Sequence, residues 1–178
     1  MFGSGDPSGR TVLIQGAGGV GSALAGHLAE AGAVVLVSDL DADRAAAVAA
    51  SAGGRTVAPE QVAETECAVF SPCAVGGVLD SGTARRLRCR IVAGSANNQL
   101  AGPDVAEAIH ARGILYAPDY VINGGGVIGI EELGWSVPEL DAALAEVGDR
   151  LSGIYRRSDA DGISTAAAAD LLVAERLG

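Results

Sequence analysis

Short apolar runs, separated by glycines and small polar residues, set the rhythm of this chain. Thr11 to Gln15, Val34 to Ser38, Arg55 to Val57, Cys67 to Phe70, Ile91 to Ala93 and Ile114 to Ala117 each have the length of a strand. Cys67 to Phe70 is apolar throughout, which predicts a strand covered on both faces. Helical spacing fills the gaps. Val20, Leu24 and Leu28 share one face of a helix predicted from Gly19 to Ala31, and Gly32 is placed to end it. Asp41 is a cap for an alanine-rich helix through about Ala50, stopped by Gly53 and Gly54. Pro59 opens a brief helix. Asp80 to Leu87 predicts a short one, and Pro103 to Arg112 another that ends at Gly113. This alternation predicts an α/β fold, a Rossmann-type doubly wound parallel sheet.

From Glu139 the rhythm changes. Leu140, Leu144, Val147, Leu151 and Ile154 recur at helical spacing and form one apolar seam. Ser158 to Gly162 turns the chain, and Thr165 is placed to cap a last helix from Ala166 to Leu177. These two extra C-terminal helices either cover their own sheet or dock on another domain. The expected organisation is a single domain. It has a loose lead-in over residues 1–10, sheet and crossover helices over 11–137, and C-terminal helices over 138–178.

The first run leads directly into chemistry. Gly16-Ala17-Gly18-Gly19-Val20-Gly21 is G-x-G-x-x-G between a strand and a helix, and Asp39 ends the next strand. Gly16 permits the tight turn, Gly18 lets backbone approach a pyrophosphate, and Gly21 lets helix and strand pack without an intervening Cβ. The helix start, through Gly19 and Val20, offers free N–H groups to phosphates. Asp39 stands about 20 residues past the glycines, where an acid accepts hydrogen bonds from an adenosine ribose. An acid there favours NAD over NADP, because it repels a 2′-phosphate; nearby Arg44 softens that preference.

Three further loops follow strand ends, where ligands bind in doubly wound sheets. Ser71 to Gly77 is one, and by position alone it is equally a plain connector. Gly94 to Gln99 is rich in amides, which both donate and accept as a carboxamide ligand requires, and which also favour turns. Pro118 to Asn123 precedes three glycines beside Val127, Ile128 and Ile130, a run suited to close backbone approach to a ligand or a helix.

Composition narrows the partners. The chain has 178 residues, 49% apolar and 19% charged, with a net charge of −10. It should be repelled by nucleic acid and by anionic membranes. No apolar stretch has the length of a membrane span, and the N-terminus lacks a signal pattern, so a cytoplasmic protein is expected. Arg85, Arg86, Arg88 and Arg90 cluster before a strand as a solvated helix end rather than a binding patch. Cys67, Cys73 and Cys89 form no C-x-x-C pair, and His27 and His110 have no ligand partners at metal spacing, so no disulfide framework and no metal site are expected. All 12 basic residues are arginine; the chain contains no lysine.

Four stretches together resemble one family. GAGGVG at Gly16, FSPCAVGG at Phe70, VAGSANNQL at Val92 and YAPDYVINGGGVI at Tyr116 are similar, in order and spacing, to the cofactor domain of the glutamate/leucine/phenylalanine/valine dehydrogenases. The leucine, valine and phenylalanine enzymes are most alike, and the resemblance covers nearly the whole chain. It implies NAD-dependent oxidative deamination of an L-amino acid to a 2-oxo acid and ammonia. By motif, Gly16, Gly18 and Gly21 would cradle the pyrophosphate and Asp39 would hold the ribose. Pro72, Cys73 and Ala74 would line the cofactor cleft. Ser95 and Asn98 would position the nicotinamide, and Asn123 would sit where nicotinamide and substrate meet. Val127 and Ile130 would line the substrate pocket.

One departure is decisive for the chemistry. The family carries two active-site lysines and an aspartate on an N-terminal domain that also forms the dimer interface. One lysine holds the substrate carboxylate and the other serves as general base. That domain is not in this sequence, and arginine does not deprotonate in proteins to replace the base. Three functions stay open. The chain is the NAD-binding part of an amino-acid dehydrogenase that needs a lysine-bearing partner subunit. Or it is a stand-alone NAD(H)-binding module without turnover. Or it is a repurposed enzyme acting on an imine or oxo acid, with Asp119, Tyr120 or Tyr116 moving the proton.

Overall fold

Alternation along the first strand builds the core on both sides of the sheet. Val12 and Ile14 point to one face and Leu13 to the other; Val35 and Val37 are likewise opposed to Leu36. A computed structural model of the chain describes residues 5–124 and 136–177. It contains a six-stranded parallel sheet: β1 Thr11–Gln15, β2 Val34–Ser38, β3 Arg55–Thr56, β4 Val69–Pro72, β5 Ile91–Val92 and β6 Leu115–Tyr116. The strand order is β3-β2-β1-β4-β5-β6. Right-handed crossovers explain it: the chain winds outward from β1 in one direction, then returns to β4 and winds in the other. The reversal lies between β1 and β4, whose carboxyl ends are Gln15 and Pro72 in register.

Helix α1 (Gly19–Glu30) and α2 (Ala42–Ser51) pack on one face, where Ala25, Ala45 and Ala49 meet Val12, Ile14, Val35 and Val37. Helix α3 (Ser81–Arg86), α4 (Pro103–Ala111) and a 3₁₀ turn at Pro59–Glu64 cover the other, around Leu13, Phe70, Leu87, Val92, Val105 and Ile109. Asp41 caps α2 by accepting from the Arg44 N–H at 3.0 Å, as its position predicts. Asp80 caps α3 in the same way through the Thr83 N–H. The arginine cluster lies at this end of the sheet, where Arg86 pairs with Glu64 and Arg88 with Glu66 on the surface.

Three expectations are corrected. The fourth strand lies two residues later than predicted, at Val69–Pro72. Proline ends a parallel strand without loss, since the ladder there uses the N–H of Cys73, which donates to the Gln15 carbonyl at 2.7 Å. Pro72 is therefore buried strand rather than loop. The residues expected as the loop Pro118 to Asn123 form a short helix, α5 (Asp119–Ile122). Thr165 does not cap the last helix: Ser164 does, accepting from the Ala167 N–H, and the Thr165 hydroxyl instead donates to the Tyr116 carbonyl at 2.7 Å.

The C-terminal helices are α6 (Val137–Asp161) and α7 (Thr165–Leu177). Ile154 of α6 is buried against Ala168 and Ala169 of α7, and α7 packs on α4 and β6. The other end of the seam is open, with Leu144 47% and Val137 70% exposed. The pair thus covers its own sheet at one end and presents apolar surface at the other. No described helix is long and apolar enough to cross a membrane.

Candidate functional site

The turn after β1 is built by two steric demands. Gly16 has φ +110°, and a Cβ on it would lie 2.8 Å from the Ala74 nitrogen and 2.9 Å from the Ala74 Cβ. A Cβ on Gly21 would lie 1.9 Å from the Gly16 carbonyl oxygen. These two glycines let the loop after β4, the turn and α1 close on one another. Gly18 and Gly19 differ: a Cβ on either would meet nothing within 4 Å. Gly18 is the cap residue of α1 and has no side chain to satisfy the first-turn amides. The turn therefore presents open space and unsatisfied N–H groups at the carboxyl edge of the sheet, beside the reversal of strand order.

Asp39 is tied into this turn. Its Oδ2 accepts from the Ala17 N–H at 2.7 Å and its Oδ1 from the Asp41 N–H at 2.9 Å. Arg44 lies 3.4 Å from Oδ1 and also 3.4 Å from Asp41. The Ala17 bond first, then the Asp41 bond and the Arg44 charge, hold the Asp39 carboxyl below the usual carboxylate range. The acid expected to hold a ribose thus also braces the phosphate turn, and it stays ionised at neutral pH.

A mostly apolar cavity of about 360 Å³ opens along α1 over the face of β1 and β4, from Pro7 and Arg10 at one end to Ser95 and Asn123 at the other. Val20 and Leu24 border one side; Ser71, Ser95 and Asn123 border the other. This brings together Val20, Ser95 and Asn123, which the sequence assigns to one cleft. The Asn123 amide donates to the Ala96 carbonyl at 3.1 Å and to the Asn97 Oδ1 at 3.0 Å. Asn97, not Asn98, is the neighbour of Asn123. Asn98 has φ 51° and borders a different cavity of about 380 Å³, between α4 and α7. Cys73 and Ala74 lie against the glycine turn, and the Cys73 thiol is 3.4 Å from the Ser71 hydroxyl. Pro72 is buried under Gly94, where a Cβ would lie 2.2 Å from the Pro72 carbonyl oxygen. Val127 and Ile130, assigned to the substrate pocket, lie outside the described residues.

The two candidates for proton transfer have structural partners. Asp119 is buried; its Oδ2 accepts from the Gln99 N–H at 3.0 Å and its Oδ1 from the Tyr120 N–H at 3.0 Å. Tyr120 donates to Asp170 of α7 at 2.9 Å, on the side of the larger cavity. Burial and then the Asp170 carboxylate push its phenol well above the ordinary tyrosine range. Burial and then the Asp119 charge do the same to Tyr116. Among the described residues no group of three or more histidine, cysteine or acidic side chains is gathered that could hold a metal. Gln99, fully buried, is the residue that motif reasoning passed over. Its place in VAGSANNQL made it look like one more turn amide.

Comparison with known proteins places this geometry. The family model described as glutamate/leucine/phenylalanine/valine dehydrogenase matches residues 37–157. The leucine dehydrogenase of Geobacillus stearothermophilus is 37% identical over 178 residues, covering 99% of this chain and 48% of that protein. The valine dehydrogenase of Streptomyces albus is 41% identical over 184 residues, covering 97% and 50%. The crystal structure of L-tryptophan dehydrogenase from Nostoc punctiforme superposes with a TM-score of 0.92 at 35% identity, covering 98% of this chain and 54% of that one. The chain spans about half the length of the curated relatives it matches.

Proposed function

Because the chain belongs to the glutamate/leucine/phenylalanine/valine dehydrogenase family, we propose that it is the cofactor-binding part of an NAD-dependent dehydrogenase acting on a branched-chain or aromatic L-amino acid. The observation that carries this is the glycine turn. Gly16 and Gly21 are required by the fold's own packing, whereas Gly18 and Gly19 face open space in which a pyrophosphate would lie close to the backbone. The pyrophosphate would lie on the turn and the first-turn amides of α1. Asp39 would accept from the adenosine ribose, and its negative charge favours NAD over NADP, with Arg44 as the one nearby group able to offset it. The nicotinamide would extend toward Ser95 and Asn123. Both Asn123 N–H groups are directed to Ala96 and Asn97, which leaves its amide oxygen as an acceptor for the carboxamide.

When bound, NAD would supply the hydride acceptor. This chain's residues would bind and orient it; the base and the carboxylate clamp would come from a lysine-bearing partner domain, since the chain has no lysine. The exposed stretch of α6 around Val137 and Leu144 is the surface suited to such a partner. A binding module without turnover is the second reading, and the same lack of lysine favours it. A repurposed enzyme using Asp119 or Tyr120 is disfavoured, because those groups are engaged with Gln99, Tyr120 N–H and Asp170.

Calorimetric titration with NADH and NADPH tests the cofactor assignment. The variant of choice is Asp39→Asn, which can still accept from the Ala17 N–H while losing the charge. NADH is expected to bind more tightly than NADPH, and the variant to lose that preference. No binding of either nucleotide would sink the proposal. An assay with leucine, valine and phenylalanine is expected to show no turnover by the chain alone; turnover would refute the need for a partner.

A further inference from the structure

A fully buried glutamine calls for a physical reason, because a primary amide loses its water on burial and must find partners. Gln99 is 0% exposed. Its Nε2 donates to the Gly94 carbonyl at 2.7 Å and to the Ala96 carbonyl at 2.9 Å. Its backbone N–H donates to Asp119 Oδ2, and its carbonyl accepts from the Leu79 N–H at 3.1 Å. One residue therefore joins the loops that follow β4 and β5 to the first residue of α5. The segments after β4 and β5 are also joined by backbone hydrogen bonds, Gly77 N–H to the Asn98 carbonyl at 2.7 Å and Ala96 N–H to the Pro72 carbonyl at 2.9 Å, and by close backbone packing. A Cβ on Gly94 would strike Pro72, and one on Gly76 would lie 2.5 Å from the Asn97 carbonyl oxygen. The Ala96 carbonyl receives two donors, Gln99 from within and Asn123 from the cavity side. Gln99 and Asn123 are thus coupled through a single atom.

We propose that Gln99, braced by Asp119, is the positioning residue of the nicotinamide half of the cleft: it holds the Gly94–Ala96 backbone so that Ser95 and Asn123 keep their places at the cavity wall. This rests on the cofactor assignment above. Gln99 does not touch the glycine turn, Asp39 or α1, so the adenosine half should be independent of it. Among the described residues the Gln99 Oε1 has no hydrogen-bond partner, and the bonds that tie the backbone are those its Nε2 donates. An isosteric glutamate in its place would set an acceptor against two carbonyls, and methionine would fill the volume without donating.

The test compares Gln99→Met and Gln99→Glu with the unmodified chain, titrating each with NADH and with ADP-ribose, which lacks the nicotinamide. NADH affinity is expected to fall about tenfold, with ADP-ribose affinity unchanged within about twofold. Retained ADP-ribose binding also certifies that the variants are folded. Equal losses for both ligands, or no loss for either, would overturn the proposal. Failure of the unmodified chain to bind either ligand would instead sink the cofactor assignment. Amide exchange then decides the role of Gln99: Gly77, Leu79 and Ala96 should exchange faster in Gln99→Met while Leu13 does not, and unchanged exchange at all four would overturn it.

Discussion

Gly18 and Gly21 occupy the same motif yet answer to different demands. A methyl on Gly21 would overlap the Gly16 carbonyl at 1.9 Å, so backbone must move. Gly21→Ala is expected to destabilise the fold by about 1–3 kcal/mol, measured by urea unfolding. A methyl on Gly18 meets nothing. Gly18→Ala should lower the unfolding midpoint less than Gly21→Ala does, by the cost of an N-cap change alone, and weaken NADH binding, by calorimetry. If Gly18→Ala binds NADH normally, the dinucleotide does not lie against this turn. These glycines were legible in the sequence because their demands are local, set within one strand, one turn and one helix. Pro72, Asp119 and Gln99 were not. Their roles depend on Gly94 lying over Pro72, and on the Gln99 N–H reaching Asp119 from another loop. Such contacts join residues far apart in the chain, and hydropathy spacing carries no signal of them.

Helix α6 shows what periodicity can and cannot tell. The seam from Leu140 to Ile154 is continuous in sequence, and one long helix follows from it. Its burial is not continuous. Ile154 is 4% exposed against α7, while Leu144 is 47% exposed. Ile154→Ala is expected to cost about 2–5 kcal/mol, and Leu144→Glu less than about 0.5 kcal/mol, in chemical denaturation of the chain alone. A large loss for Leu144→Glu would mean that this end of the seam is core rather than docking surface. The capping box at Ser136 and Glu139 starts the helix without help from the sheet, which allows its first turns to stand clear of the core. Strand ends were the least legible elements. The pattern placed the fourth strand on its most apolar residues, but the ladder extends to Pro72, because pairing with β1 is decided by hydrogen-bond register and not by hydropathy.

The two faces of the sheet give the molecule two cores, and titratable groups are buried in one of them. Burial raises the Cys67 thiol to about 12 and, as the first cause, the Cys89 thiol to about 11. Raised acids favour the folded state at pH values where they are neutral in both states. Their contribution is therefore fully present below about pH 8.5, where an unfolded thiol is protonated. It declines as pH rises toward the folded values. Thermal melts should hold steady to about pH 8.5 and fall above it, and the Cys67→Ala, Cys89→Ala double variant should show a shallower decline. An equal decline in the variant would assign the effect to other groups, such as the partly buried Tyr155, raised to about 12 by burial.

The winding of the sheet, the glycine turn, the acid after the second strand and the absence of lysine from these 178 residues are all read from the order of residues. Each rests on local periodicity, on a steric rule for glycine or on the presence of a functional group, none of which needs three-dimensional contacts. Folding alone decided that Asp39 braces the turn through Ala17 N–H, that Asn97 rather than Asn98 meets Asn123, and that Gln99 ties the loops after β4 and β5 to α5. Those outcomes come from hydrogen bonds whose donors and acceptors only the packed loops bring within reach.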